Sequence, residues 1–127
     1  MTRCPTVLIV DDEPCVTLTL SRMLRLEGYD VVTALTADAG LIKVELFRPD
    51  AVLVDLRMPR VDGLAFLRTL RAHEIHRLTP VAIVTGDYFV AETERNELGT
   101  LDASLYYKPL WIDDLIRITR QLIGHTH

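Results

Sequence analysis

Four short stretches of the sequence carry side chains able to do chemistry together. The apolar run Val7–Val10 stops at three consecutive acids, Asp11, Asp12 and Glu13. The run Ala51–Val54 stops at Asp55, the run Pro80–Val84 at Thr85 with Gly86 beside it, and the run Ser104–Tyr107 at Lys108, followed by Pro109. An acidic triplet repels itself unless water solvates it or something positive sits among the acids. Clustered carboxylates suit a hard divalent cation such as Mg²⁺, with Mn²⁺ an alternative, because such ions prefer oxygen ligands. A carboxylate beside such an ion can also be a nucleophile toward phosphorus and form an aspartyl phosphate. Lys108 would neutralise phosphoryl oxygens, the Thr85 hydroxyl would donate to another, and Gly86 would let a phosphate approach the backbone without a side-chain clash. Each feature has a plainer reading, since acids before Pro14 also favour a helix N-terminus. Four such groups, each at the end of a different strand, need that plainer reading four times over.

The elements that must position these groups alternate. Strands are expected at Val7–Val10, Val31–Ala34, Ala51–Val54, Pro80–Val84 and Ser104–Tyr107. Between them lie helices: one opened by Pro14 and stopped by Gly28, with Val16, Leu20, Met23 and Leu24 on one face; one capped by Thr36 and running through Phe47; one opened by Asp62–Gly63, with Leu64, Leu67 and Leu70 in period; a weak, Glu-rich one over Tyr88–Leu98 closed by Gly99; and Ile112–Ile123, with Leu115, Ile118 and Leu122 on one face. Strands apolar on both faces and separated by helices predict a parallel sheet covered on both sides. Right-handed crossovers then give a doubly wound (βα)5 α/β sandwich. Ligands of such sheets bind beyond the carboxyl ends of the strands, where the four groups lie. No linker interrupts the pattern, so residues 1–127 are expected to form one domain.

Composition narrows the class. Of 127 residues, 49% are hydrophobic and 25% charged, as in a globular domain, and no apolar run reaches the ~20 residues of a membrane span. No secretory signal opens the chain, so a cytoplasmic location is expected. A net charge of −4 argues against direct binding of nucleic acid. Cys4 and Cys15 lack metal spacing and are expected to be ordinary thiols. The histidines His73, His76, His125 and His127 are expected on solvated surface, without an acidic partner.

The stretches "VLIVDDEP", "PDAVLVDLRMPRVDG", "PVAIVTG" and "YYKPL" cover nearly the whole chain in order, and together they resemble the receiver domain of bacterial two-component response regulators, a flavodoxin-like fold that includes the chemotaxis receiver. The resemblance implies a sheet of order 2-1-3-4-5, with Asp55 as phosphoacceptor. It implies Mg²⁺ held by Asp12, Asp55 and the backbone carbonyl of Arg57, with Asp11 acting largely through water, and a phosphoryl group contacted by Thr85 and Lys108. It also implies a cis Lys108–Pro109 bond, and a histidine kinase or histidine phosphotransfer protein as donor. The downstream protein or output domain would read the face formed by the fourth helix, fifth strand and fifth helix, where a homodimer would also form.

This chain departs from the family pattern in two places. Three residues before the lysine, where the family usually carries an aromatic switch residue, stands Leu105, with Tyr106 and Tyr107 closer in; strand alternation puts Leu105 with Tyr107 and Tyr106 with Lys108. Arg57 and Asp87, two residues beyond Asp55 and Thr85, form a flanking pair whose charges could meet over the site. Two other readings stand beside the switch. One is a receiver-like interaction module that works without phosphorylation, which has no need of Asp12, Asp55, Thr85 and Lys108. The other is a Mg²⁺-dependent phosphohydrolase of the haloacid dehalogenase type, which needs a second acid where this chain has Arg57. Turnover of a free substrate is therefore not expected.

Overall fold

The computed structural model describes residues 4–123; the histidines at 125 and 127 lie outside that range. Five strands, β1 (Thr6–Val10), β2 (Asp30–Ala34), β3 (Ala51–Asp55), β4 (Val81–Thr85) and β5 (Ala103–Tyr107), form one sheet of order β2-β1-β3-β4-β5, parallel throughout. Five α-helices connect and follow them: α1 (Pro14–Leu26), α2 (Ala37–Phe47), α3 (Gly63–Ala72), α4 (Glu92–Thr100) and α5 (Ile112–Ile123), with a 3-10 turn at Glu74–His76. The expected doubly wound, flavodoxin-like sandwich is the architecture found.

Alternation along each strand sorts the core into two layers. Val7, Ile9, Leu53 and Ala82 face α1 and α5, through Leu20, Leu24, Leu115 and Ile118. Leu8, Val10, Val52, Val54, Val81 and Ile83 face the other way, onto α2, α3 and α4, through Val44, Phe66, Leu67, Leu70 and Leu98. The register of β5 follows the same rule. Leu105 and Tyr107 pack with the α2–α4 layer, and Tyr106 with the α1–α5 layer. Gly40 lets α2 approach the sheet, since a Cβ there would lie 2.9 Å from a Val10 methyl and 3.0 Å from the Phe66 ring.

The helix boundaries follow local chemistry. Pro14 occupies the first turn of α1, and Gly28 takes a positive φ of 95° just beyond its end. The Thr36 hydroxyl accepts from the Ala39 N–H and the Asp62 carboxylate from the Ala65 N–H, capping α2 and α3. The fourth helix departs from expectation: it does not begin at Tyr88, nor does Gly99 close it. Asp87 accepts the Phe89 N–H in a side-chain turn, and Tyr88 stacks on Tyr107 and donates its hydroxyl hydrogen to the Lys108 carbonyl. These bonds hold residues 87–91 out of helical geometry. The helix starts where the Glu94 carboxylate accepts the Ala91 N–H, and it runs past Gly99 to Thr100.

His76 also departs from expectation. It is buried, and its Nε2 lies 3.0 Å from Glu45 Oε1 on α2, an acidic partner 31 residues away. Beside it the half-buried Arg71 donates to the carbonyls of His76, Thr79 and Leu101. This guanidinium ties the loops after α3 and α4 together at the end of the sheet away from the acids. Cys4 and Cys15 are both exposed.

Candidate functional site

Parallel strands end at one edge, and the sheet order sets β1, β3, β4 and β5 side by side there. Asp11 follows β1, with its N–H on the Ala34 carbonyl; Asp55 is the last residue of β3; Thr85 is the last of β4; and Lys108 follows β5, with its N–H on the Thr85 carbonyl at 2.8 Å. The β3–α3 loop closes tightly behind Asp55. Gly63 donates to the Leu56 carbonyl, and a Cβ on Gly63 would sit 2.5 Å from the Asp55 carbonyl oxygen, so only glycine fits there. Asp12, Glu13, Asp55, Arg57, Thr85, Gly86, Asp87 and Lys108 line one open cleft of about 420 Å³.

The carboxylates of Asp11, Asp12 and Asp55 each offer an oxygen within 4.8 Å of the others. Asp11 and Asp55 are buried and Asp12 is half-buried. Lys108 Nζ donates to Asp11 Oδ2 at 2.8 Å and to Asp55 Oδ2 at 3.5 Å. Asp11, which the family resemblance implied would act largely through water, here makes a direct ion pair with a residue 97 positions away. Burial pushes the Asp55 carboxyl above its ordinary value. The Lys108 charge opposes that rise, Asp11 adds to it, and the Arg57 N–H, donating to Oδ1 at 3.3 Å, opposes it. Burial alone would depress the Lys108 ammonium, but its hydrogen bond to Asp11 and the charges of Asp11 and Asp55 outweigh that and hold it above its ordinary value. One ammonium faces three carboxylates. The donor set is therefore all oxygen, short of positive charge and open on one side, which fits a hard divalent cation with solvent ligands.

Thr85 is fully buried, and its hydroxyl accepts the Asp87 N–H at 3.0 Å. Gly86 lies in the cleft wall; a Cβ there would meet only the Lys108 Cδ, at 3.9 Å. Arg57 and Asp87 do meet over the site, Nε to Oδ2 at 2.9 Å. A third member of this group escaped the sequence reading. Glu94, on α4, takes the other edge of the guanidinium in a two-pronged pair at 2.7 and 2.9 Å. No local signal announces a partner 37 residues away; a signal existed only in the row of Glu residues on a helix beside a lone Arg.

The family model for the response regulator receiver domain matches residues 7–118. The chain belongs to the response regulator receiver family. The receiver is 34% identical over 123 residues to the regulatory protein AtoC of Escherichia coli, covering 97% of this chain and 26% of that one. It is 31% identical over 117 residues to the transcriptional regulatory protein TrcR of Mycobacterium tuberculosis, covering 92% of this chain and 44% of that one. The receiver thus spans about a quarter to a half of these curated relatives. Among solved structures, it resembles the chemotaxis protein CheY4 of Vibrio cholerae, with a TM-score of 0.86, 25% identity and coverage of 94% of this chain and 99% of that one. It is equally similar to a response regulator receiver protein of Pseudomonas putida, at 0.86 and 27%, covering 95% and 99%. Receiver domains are signalling modules. The Lys108–Pro109 bond is cis, as the family resemblance implied. No helix among the described residues is long and apolar enough to cross a membrane.

Proposed function

We propose that this receiver is the phosphoacceptor switch of a two-component relay, and that Asp55 takes the phosphoryl group. The observation that carries this reading is the placement of the Asp55 carboxylate. It closes β3 inside an open cleft, between the Lys108 ammonium and two further carboxylates. One Asp55 oxygen attacks phosphorus, and the bond from phosphorus to the donor's histidine nitrogen breaks. Lys108 then neutralises phosphoryl oxygens, and the Thr85 hydroxyl turns from the Asp87 N–H to donate to another. Such transfer needs positioning and charge neutralisation above all. Asp11, Asp12, Asp55 and the Arg57 carbonyl would hold Mg²⁺. When bound, that ion supplies positive charge to the phosphoryl oxygens and relieves the repulsion among the acids.

The donor is a histidine kinase or a histidine phosphotransfer protein. The response passes through the α4–β5–α5 face to a downstream protein or output domain, and that face also serves a homodimer. Residues 1–127 act as one domain, in the cytoplasm, with no direct contact to nucleic acid. Turnover of a free substrate is not part of the function. The position two residues beyond the acceptor carries Arg57, held by Asp87 and Glu94, in place of a second acid. The test is a small-molecule phosphodonor with Mg²⁺ and intact-mass spectrometry. Wild type should gain one phosphoryl group and Asp55→Asn none; an adduct on Asp55→Asn would overturn the assignment.

A further inference from the structure

Helix α4 is poorly anchored by apolar contact. Leu98 is its one buried residue. It hangs on a row of arginines instead, all from the β3–α3 loop and α3. Arg57 grips Glu94 with two hydrogen bonds, Arg68 grips Glu97 one turn later in the same way, and Arg71 donates to the Leu101 carbonyl just past the helix end.

Arg57 is the member of the row that also belongs to the cleft. Its backbone N–H donates to Asp55 Oδ1, its Nε to Asp87, and its two terminal nitrogens to Glu94. Arg57 and Lys108 are the cations lining the cleft, and Lys108 is already engaged by Asp11. An aspartyl phosphate at Asp55 carries about two negative charges at neutral pH, one more than the carboxylate it replaces, and three strong acceptors in the cleft that Arg57 also lines. The planar fork of Arg fits phosphate in the same two-pronged manner as carboxylate. Glu94 keeps a second bond whatever Arg57 does, because its carboxylate also accepts the Ala91 N–H at 3.0 Å. Losing Arg57 therefore frees α4 from the β3–α3 loop without unwinding its first turn.

We propose that Arg57 is a latch that trades Glu94 for the phosphoryl group, so that phosphorylation of Asp55 unties α4. The proposal rests on Asp55 being the phosphoacceptor. Because Glu94 and the phosphoryl group compete for one guanidinium, it fixes opposite signs for two substitutions. Removing the Glu94 charge frees Arg57 and tightens binding of the phosphoryl group; removing the guanidinium weakens it.

The test measures the affinity of the full chain for beryllofluoride, a phosphoryl mimic, in the presence of Mg²⁺ by titration calorimetry, together with amide hydrogen exchange of residues 95–100. Glu94→Gln keeps an acceptor for the Ala91 N–H. It should bind the mimic about fivefold tighter or more, the lower end of ordinary coupling between sites. Arg57→Gln should bind it weaker by a similar factor, and the double variant should match Arg57→Gln alone, since the two residues act on one bond. In wild type the mimic should speed exchange in α4; in Glu94→Gln exchange should already be fast without it. Circular dichroism melts confirm that each variant is folded, and Glu94→Ala repeats the charge removal with a different side chain. Equal affinity in wild type, Glu94→Gln and Arg57→Gln overturns the latch and leaves the Asp55 assignment standing, as does weakening by both substitutions. Undiminished binding by Asp55→Asn overturns the Asp55 assignment, and the latch with it.

Discussion

Asp12→Ala should have opposite effects on stability with and without Mg²⁺. Asp12 shares the mouth of the cleft with Asp11 and Asp55, with one oxygen from each within 4.8 Å of the others. Lys108 lies against Asp11 and Asp55, at 2.8 and 3.5 Å, which leaves Asp12 facing two acids across the opening. Two unit charges 4.8 Å apart repel by about 3.5 kcal/mol at an effective dielectric of 20, and by about 1 kcal/mol in bulk water. The mouth is open to solvent, so removing Asp12 should stabilise the metal-free fold by about 1 kcal/mol. For a chain of 127 residues, 1 kcal/mol is about 4 °C in melting temperature. Mg²⁺ works the other way. At a hundredfold excess over the dissociation constant, linkage contributes about 2.7 kcal/mol, or roughly 10 °C. The assay is a thermal melt of wild type and Asp12→Ala, with chelator and across a Mg²⁺ titration. The variant should melt about 4 °C higher than wild type in chelator and several degrees lower in saturating Mg²⁺. An unchanged Mg²⁺ shift refutes Asp12 as a ligand. An unraised chelator value refutes the repulsion.

Asp55 should leave a pH signature in the metal-free protein. Burial, with the Asp11 charge behind it, holds its folded-state pKa above that of an ordinary aspartate. The folded form keeps its proton through a window in which the unfolded chain has lost it, so stability falls as pH rises through that window. Urea melts of Asp55→Asn in chelator should lack this fall; an identical pH profile in both proteins would sink the account. Replacing Arg57 and Asp87 together with Ala should shorten the phosphoryl lifetime, because their pair lies across the opening through which an in-line water must come; decay at the wild-type rate would make the pair plain surface charge. Leu105 packs toward α4 while Tyr106 packs toward α5, with its hydroxyl donating to Gln121. Leu105→Ala should therefore lose the gain in partner affinity that beryllofluoride gives, and Tyr106→Ala should keep it; the reverse result would show that Tyr106 carries the response.

Much of the site was legible in the sequence because strand ends in a parallel sheet converge by topology. Once five buried strands alternate with five helices, right-handed crossovers leave every carboxyl end on one edge, and Asp11, Asp12, Asp55, Thr85 and Lys108 need only be read off in order. The caps on α2 and α3 were equally legible, since Thr36 and Asp62 act on N–H groups three residues away. The start of α4 was not, although the bonds that delay it are partly local. Tyr88 could be helical or not until Tyr107 and the Lys108 carbonyl, brought alongside by β5, engaged its ring and hydroxyl. The same holds for the charges. Arg57 found Glu94 at a separation of 37 residues, His76 found Glu45 at 31, and Lys108 found Asp11 at 97. Sequence determined which side chains stand at the edge of the sheet, because alternation and periodicity are properties of the chain itself. Which of them share a proton, a guanidinium or a cap was decided only by the tertiary structure, because a hydrogen bond depends on a few tenths of an ångström between groups that only the packed helices bring together.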